Sequence, residues 1–129
     1  MATITKFEDI EAWKEARQLS KMIYKITDRE GIKKDFALRD QIRRSAGSVM
    51  DNIAEGFERD GNREFLQFLS IAQASCGELR SQLYRCLDRN HIDRDTFDSL
   101  RAKTILTNKK IKSLIIYLKK SKRRGFKYD

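Results

Sequence analysis

No proline occurs in the 129-residue sequence, and glycine occurs only six times. Without proline no backbone donor is removed and no ring clashes with the preceding turn, so helices can run long and unkinked. No apolar run approaches the ~20 residues that a membrane-spanning helix needs. The opening MATITKFEDI lacks the basic-then-apolar pattern of a secretory signal. These absences predict a soluble, cytoplasmic protein with no membrane partner. Cysteine is scarce too. Cys76 and Cys86 lie on one expected helix, about 15 Å apart along its axis, whereas a disulfide needs Cα atoms within about 7 Å. Neither belongs to a C-x-x-C pair and His91 is the sole histidine, too few ligands for a zinc site. Both cysteines read as small buried apolar residues, and no metal or other cofactor is expected.

What the chain does have is charge, unevenly placed. Its net charge is +9. Residues 1–100 hold 17 Lys and Arg against 18 Asp and Glu, a balance of −1; residues 101–129 hold 11 against one, a balance of +10. The basicity belongs to the C-terminal segment. Such a localised stripe is the electrostatic footprint of a nucleic-acid binder, and equally a means of staying soluble. The length fits one domain, residues 1–129 with a basic tail at about 119–129. A chain of this size can bury roughly 65–70% of its unfolded surface.

Apolar periodicity and punctuation predict four helices. The first starts near Thr5, where a T-x-x-E capping box with Glu8 is available, and continues through Ala12, Ala16, Leu19, Ile23 and Ile26. Gly31 ends it or its loop, and Asp35 offers the next cap. The second helix buries Leu38, Ile42, Ala46, Val49, Ile53 and Phe57. RDGN (59–62) then breaks the chain, with Asp60 or Asn62 as cap. The third helix follows with Phe65, Phe68, Leu69, Ala72, Cys76, Leu79, Leu83 and Cys86 on its apolar face. Asp93 caps the fourth, whose seam is Phe97, Leu100, Thr104, Thr107, Ile111, Leu114 and Leu118. No segment reads as a strand. Short loops between long helices imply an all-α, antiparallel up-down-up-down four-helix bundle.

Two features lie off the apolar stripes. Gly47 and Gly77 sit inside the second and third helices, where each costs about 1 kcal/mol relative to alanine. Folding about Gly61 brings them almost level, so a close approach of the two helices is expected there. Gln41, Arg44, Ser48, Asn52, Glu55 and Arg59 form a polar stripe at steps of three and four, displaced by about 100° from the apolar one. The third helix answers with Gln67, Ser75, Glu78 and Gln82. The hairpin register sets Arg44 opposite Glu78 and Gln41 opposite Gln82, a charge-assisted pair and an amide pair. A catalytic carboxylate needs a nucleophile, a metal or a second titrating group beside it. Here arginines and amides occupy that place, so the stripe reads as structural bonding within or between subunits.

At these residues the chain resembles the four-helix-bundle proteins encoded by intervening sequences within bacterial 23S ribosomal RNA genes. Gln41, Arg43, Arg44, Ser48, Asn52, Ile53, Ala54, Glu55, Gly56 and Arg59 match that family's second helix. Glu64, Phe65, Phe68, Leu69, Ala72, Ser75, Glu78 and Leu79 match its third, and Phe7, Asp9, Ile10 and Trp13 its first. Ser45 and Ala74 stand where the family often has alanine and glycine, and its usual proline before the second helix is absent. The resemblance implies a ring-like homo-oligomer, a pentamer. It also points to related accessory variability proteins of diversity-generating retroelements, which bind nucleic acid and a reverse transcriptase. It brings no established enzymatic activity.

Three functions follow from these residues. The first is RNA or DNA binding by Lys119, Lys120, Lys122, Arg123, Arg124 and Lys127, interleaved with Phe126 and Tyr128 and extended along the last helix by Lys103, Lys109, Lys110 and Lys112. Cations neutralise phosphates and aromatic faces stack bases. The second is a ribonuclease, because Arg85 and His91 fit the arginine-to-histidine spacing of helical nucleases of the HEPN class. The third is a protein-interaction scaffold whose tail serves solubility alone. A non-enzymatic binder is the expected function.

Overall fold

The computed structural model describes residues 4–121. A 3-10 turn at Phe7–Asp9 leads into α1 (Glu11–Thr27), which is followed by a five-residue helix, α2 (Glu30–Lys34). Three long helices complete the chain: α3 (Phe36–Glu58), α4 (Asn62–Asp88) and α5 (Arg94–Lys120). No strand occurs among the described residues. The expected four helices are α1, α3, α4 and α5. The polar loop expected between the first two instead contains α2, which is nailed to the core by fully buried Ile32.

Helix ends show what local sequence can and cannot specify. Asp93 caps α5 as expected, accepting 2.7 Å from the Thr96 amide. The capping box at Thr5 does not form; Phe7–Asp9 makes its own tight turn, and α1 begins at Glu11 behind an extended Ile10. Asp35 stands at the start of α3 without capping it, because its carboxylate is drawn across to the loop between α4 and α5. Neither Asp60 nor Asn62 stands at the N-cap position of α4. Gly61 takes that position at φ 82°, a left-handed conformation that glycine adopts without steric cost.

α1 and α4 each pack against both α3 and α5, which sets α3 and α5 at opposite corners of the bundle. Pairings advance in opposite senses along neighbours, as antiparallel helices require. On α3 and α4, Gln41 meets Arg85 and Ser48 meets Ser75; on α4 and α5, Asn62 meets Leu118 and Cys76 meets Thr104. The core divides into two clusters along the axis. One, toward the α3–α4 hairpin, includes Ile53, Phe57, Phe65, Leu69 and Leu118. The other, toward the opposite end, includes Leu19, Ile23, Ile32, Leu38, Leu83 and Phe97. Each fully buried side chain of this size is worth about 1.5–3 kcal/mol over its exposed state, so the face chosen by the apolar period fixes the helix orientations.

The close approach of α3 and α4 is real, but Gly47 and Gly77 do not make it. A Cβ added at either would meet nothing within 4 Å. Serines bring the helices together at that level, with the Ser48 and Ser75 hydroxyls 2.8 Å apart. The glycine that permits contact is Gly56, near the hairpin. A Cβ there would lie 2.7 Å from Phe68 Cβ and 3.0 Å from the Phe65 ring.

Candidate functional site

α5 presents its cations in three different ways. At 100° per residue, Lys109, Lys112, Lys119 and Lys120 project on the face opposite the buried seam, and all four are exposed. Ile116, 45% exposed, sits among them. Lys110 is half-buried and turns toward the N-terminal segment, where it lines a cleft with Ile4, Asp9, Leu114 and Tyr117. Lys103 departs from the expected basic surface altogether. Its ammonium lies 3.1 Å from both Glu15 carboxylate oxygens and 2.7 Å from the Gln18 amide oxygen, largely shielded from solvent. A buried carboxylate on α1 needs a counter-charge, and Lys103 supplies it. Lys122, Arg123, Arg124 and Lys127 lie outside the described residues.

The polar stripe of α3 is divided as well. Asn52 donates through Nδ2 to the Ser48 carbonyl at 2.8 Å and its hydroxyl at 2.9 Å, and that hydroxyl bonds Ser75 on α4. Ser45 donates to Glu78 Oε1 at 3.1 Å. These contacts knit α3 to α4. The two pairs expected from the register take different partners. Glu78 receives Ser45 rather than Arg44, and Gln41 accepts from Arg85 Nη1 at 3.0 Å rather than from Gln82. Glu55 and Arg59 form an ion pair at 3.5 Å along α3 itself, while the Arg59 guanidinium covers the Phe68 ring on α4. Gln82 is 6% exposed, with Oε1 buried and unpartnered.

From the serine contact toward Gln41 and Arg85, the stripe lines an open groove of 660 Å³. Gln41, Arg44, Ser45 and Ser48 form one wall, and Glu78, Ser81, Gln82 and Arg85 the other. Sequence reasoning placed most of these residues on facing rows, yet it missed Ser45, Ser81 and Arg85. The signal available was the run of small residues around position 45, which lets a groove exist between two otherwise bulky helices.

Arg85 and His91, the pair that fits nuclease spacing, are committed to different tasks. Arg85 reaches Gln41 in the groove. His91 Nε2 lies 3.0 Å from Asp35 Oδ2, and the same oxygen accepts from Arg89 Nη1 at 2.6 Å. The His91 hydrogen bond, then that of Arg89, holds the Asp35 carboxyl below its ordinary value of 3.8. This cluster ties the α2–α3 junction to the α4–α5 loop. Cys76 and Cys86 are free and buried, as their spacing implied, and burial pushes each thiol up to about 11. Such thiols are poor nucleophiles and poor metal ligands at neutral pH.

Comparison with known proteins bears on the whole bundle. The family model described as 23S rRNA-intervening sequence protein matches residues 8–113. A crystal structure of a protein with unknown function from the S23 ribosomal protein family of Bacteroides thetaiotaomicron superposes with a TM-score of 0.74 at 25% sequence identity. The match covers 81% of this chain and 97% of that one. No curated protein matches.

Proposed function

The chain belongs to the 23S rRNA-intervening sequence protein family, and from that premise we propose that it is a non-enzymatic, self-associating bundle that binds RNA or DNA through the outward face of α5. The observation that carries this reading is the row of Lys109, Lys112, Lys119 and Lys120, exposed on one face and leading into a segment rich in further cations. Each phosphate neutralised releases a counterion, so such a row confers affinity that falls with salt. Lys110 contributes field rather than contact, and Lys103, neutralised by Glu15, contributes neither. Repetition of the row around a ring of subunits would multiply the potential. Self-association, in which the resemblance suggests five copies, is supported by large apolar side chains left on the surface away from α5, Phe36 at 64% and Tyr24 at 49% exposure. The separate partners of Arg85 and His91 support a function without catalysis.

Fluorescence anisotropy with a ribosomal RNA fragment at several salt concentrations, combined with molar mass by light scattering, tests the proposal. Replacing Lys109, Lys112, Lys119 and Lys120 with glutamine is expected to lower both the affinity and its salt slope, with the helical signal unchanged. An intact protein with little salt-dependent affinity would favour the scaffold function, and a monomeric mass would remove self-association.

A further inference from the structure

The groove between α3 and α4 has an imbalance that the nucleic-acid reading of α5 does not use. Arg44 is exposed on its wall and has no ion pair or hydrogen bond among the described residues. Arg85 spends one N–H on the Gln41 carbonyl oxygen, and its remaining donors have no hydrogen-bond partner among the described residues. Glu78 takes the Ser45 proton on one oxygen. Gln82 lines the groove with its Oε1 buried. With the Ser81 hydroxyl, the unspent donors outnumber the unspent acceptors. Two arginines against one glutamate give the groove a charge of +1. An occupant must therefore bring negative charge and several acceptor oxygens.

We propose that this groove is a binding site for the phosphate ester of a nucleotide. Guanidinium forks on facing walls, Arg44 from α3 and Arg85 from α4, need acceptors in more than one plane. A tetrahedral phosphate group offers three acceptor oxygens out of one plane and up to two negative charges, against the two coplanar oxygens and single charge of a carboxylate. Farther along, Glu78 would repel a second anion and instead accepts from hydroxyl donors, which the sugar of a nucleotide carries. The wall from Gln41 to Ser48 spans about 10 Å, room for phosphate and sugar together. The site lies across the bundle from the outward face of α5, and neither site depends on the other.

Titration calorimetry on the full chain with inorganic phosphate, AMP, adenosine, and a short RNA with and without a 5′-phosphate tests the site. AMP or the 5′-phosphorylated RNA is expected to bind at one site per chain. A free nucleotide and an RNA end are distinguished by which of the two binds more tightly. Adenosine is expected to bind at least about tenfold more weakly than AMP, because it loses the charge-assisted bonds, and the 5′-hydroxyl RNA is expected to keep only what the outward face of α5 gives it. R44Q and R85Q should each weaken AMP by a similar factor with helicity intact, while a control variant carrying K21Q and K25Q on the exposed face of α1 leaves it unchanged. The proposal fails if neither inorganic phosphate nor any phosphate ester binds, or if adenosine matches AMP. It also fails if R44Q and R85Q bind AMP as the parent does, a result that leaves the α5 reading standing.

Discussion

The two ends of this bundle are closed by different physics. At the hairpin end, α3 and α4 meet without a gap. Gly56 lies against Phe65 and Phe68, and the Phe57 and Phe65 rings pack edge to face with centroids 6.0 Å apart. At the opposite end the loops are tied by charge. Asp35 receives Arg89 and His91, and Arg43 donates to the Thr27 hydroxyl at 2.8 Å and to Asp28 at 3.2 Å. Apolar closure is insensitive to pH and salt but intolerant of added volume. Polar closure tolerates small changes of shape but depends on protonation.

The sharpest way to break the comparison is Gly56→Leu. The new side chain collides with the Phe68 Cβ, which cannot swing aside, so a loss of roughly 3 kcal/mol is expected in urea unfolding. The same stability at position 56 with leucine would show that the hairpin end is loosely packed. A smaller effect comes from the charged end. Because the folded Asp35 carboxyl titrates below 3.8, its contribution is fully present above that value and is lost as pH falls through the folded pKa. The stability gap between wild type and Asp35→Asn should shrink as pH falls below about 4. A gap that persists at pH 2 would mean the carboxylate charge does not hold that end. The smallest effect has the opposite sign. Gly77→Ala places a methyl in open space on an exposed helix face, and should raise stability by about 0.5–1 kcal/mol in the same urea assay. Destabilisation would reveal a contact at that face.

Much of this architecture could be read from the amino acids, and the failures have a common cause. Periodicity identified the four long helices and their buried apolar residues, because a three-to-four step leaves little doubt about which face is apolar. It did not find the buried polar residues Glu15, Thr27, Ser45, Ser75 and Gln82. The hairpin register was right to within a residue at Ser48 and Ser75. It failed for Arg44 and Gln41 because long side chains choose among partners within a turn of helix, and Arg85 reaches Gln41 from farther along α4. The same latitude took Lys103 off the basic surface, since a buried Glu15 on another helix outcompeted solvent for it. α2 was illegible because five residues carry no period; Ile32 alone fastens it. Gly56 was passed over in favour of Gly47 and Gly77, for the fold around a glycine depends on what stands opposite, and nothing local announces two phenylalanines across the hairpin.

The two sulfhydryls, one in each cluster of the core, give this molecule a built-in pair of clocks. Folded, both are sealed from alkylating reagents and disinclined to ionise. Each becomes reactive only when the packing around it opens, so the order in which a reagent captures Cys76 and Cys86 records which extremity of the bundle comes apart first.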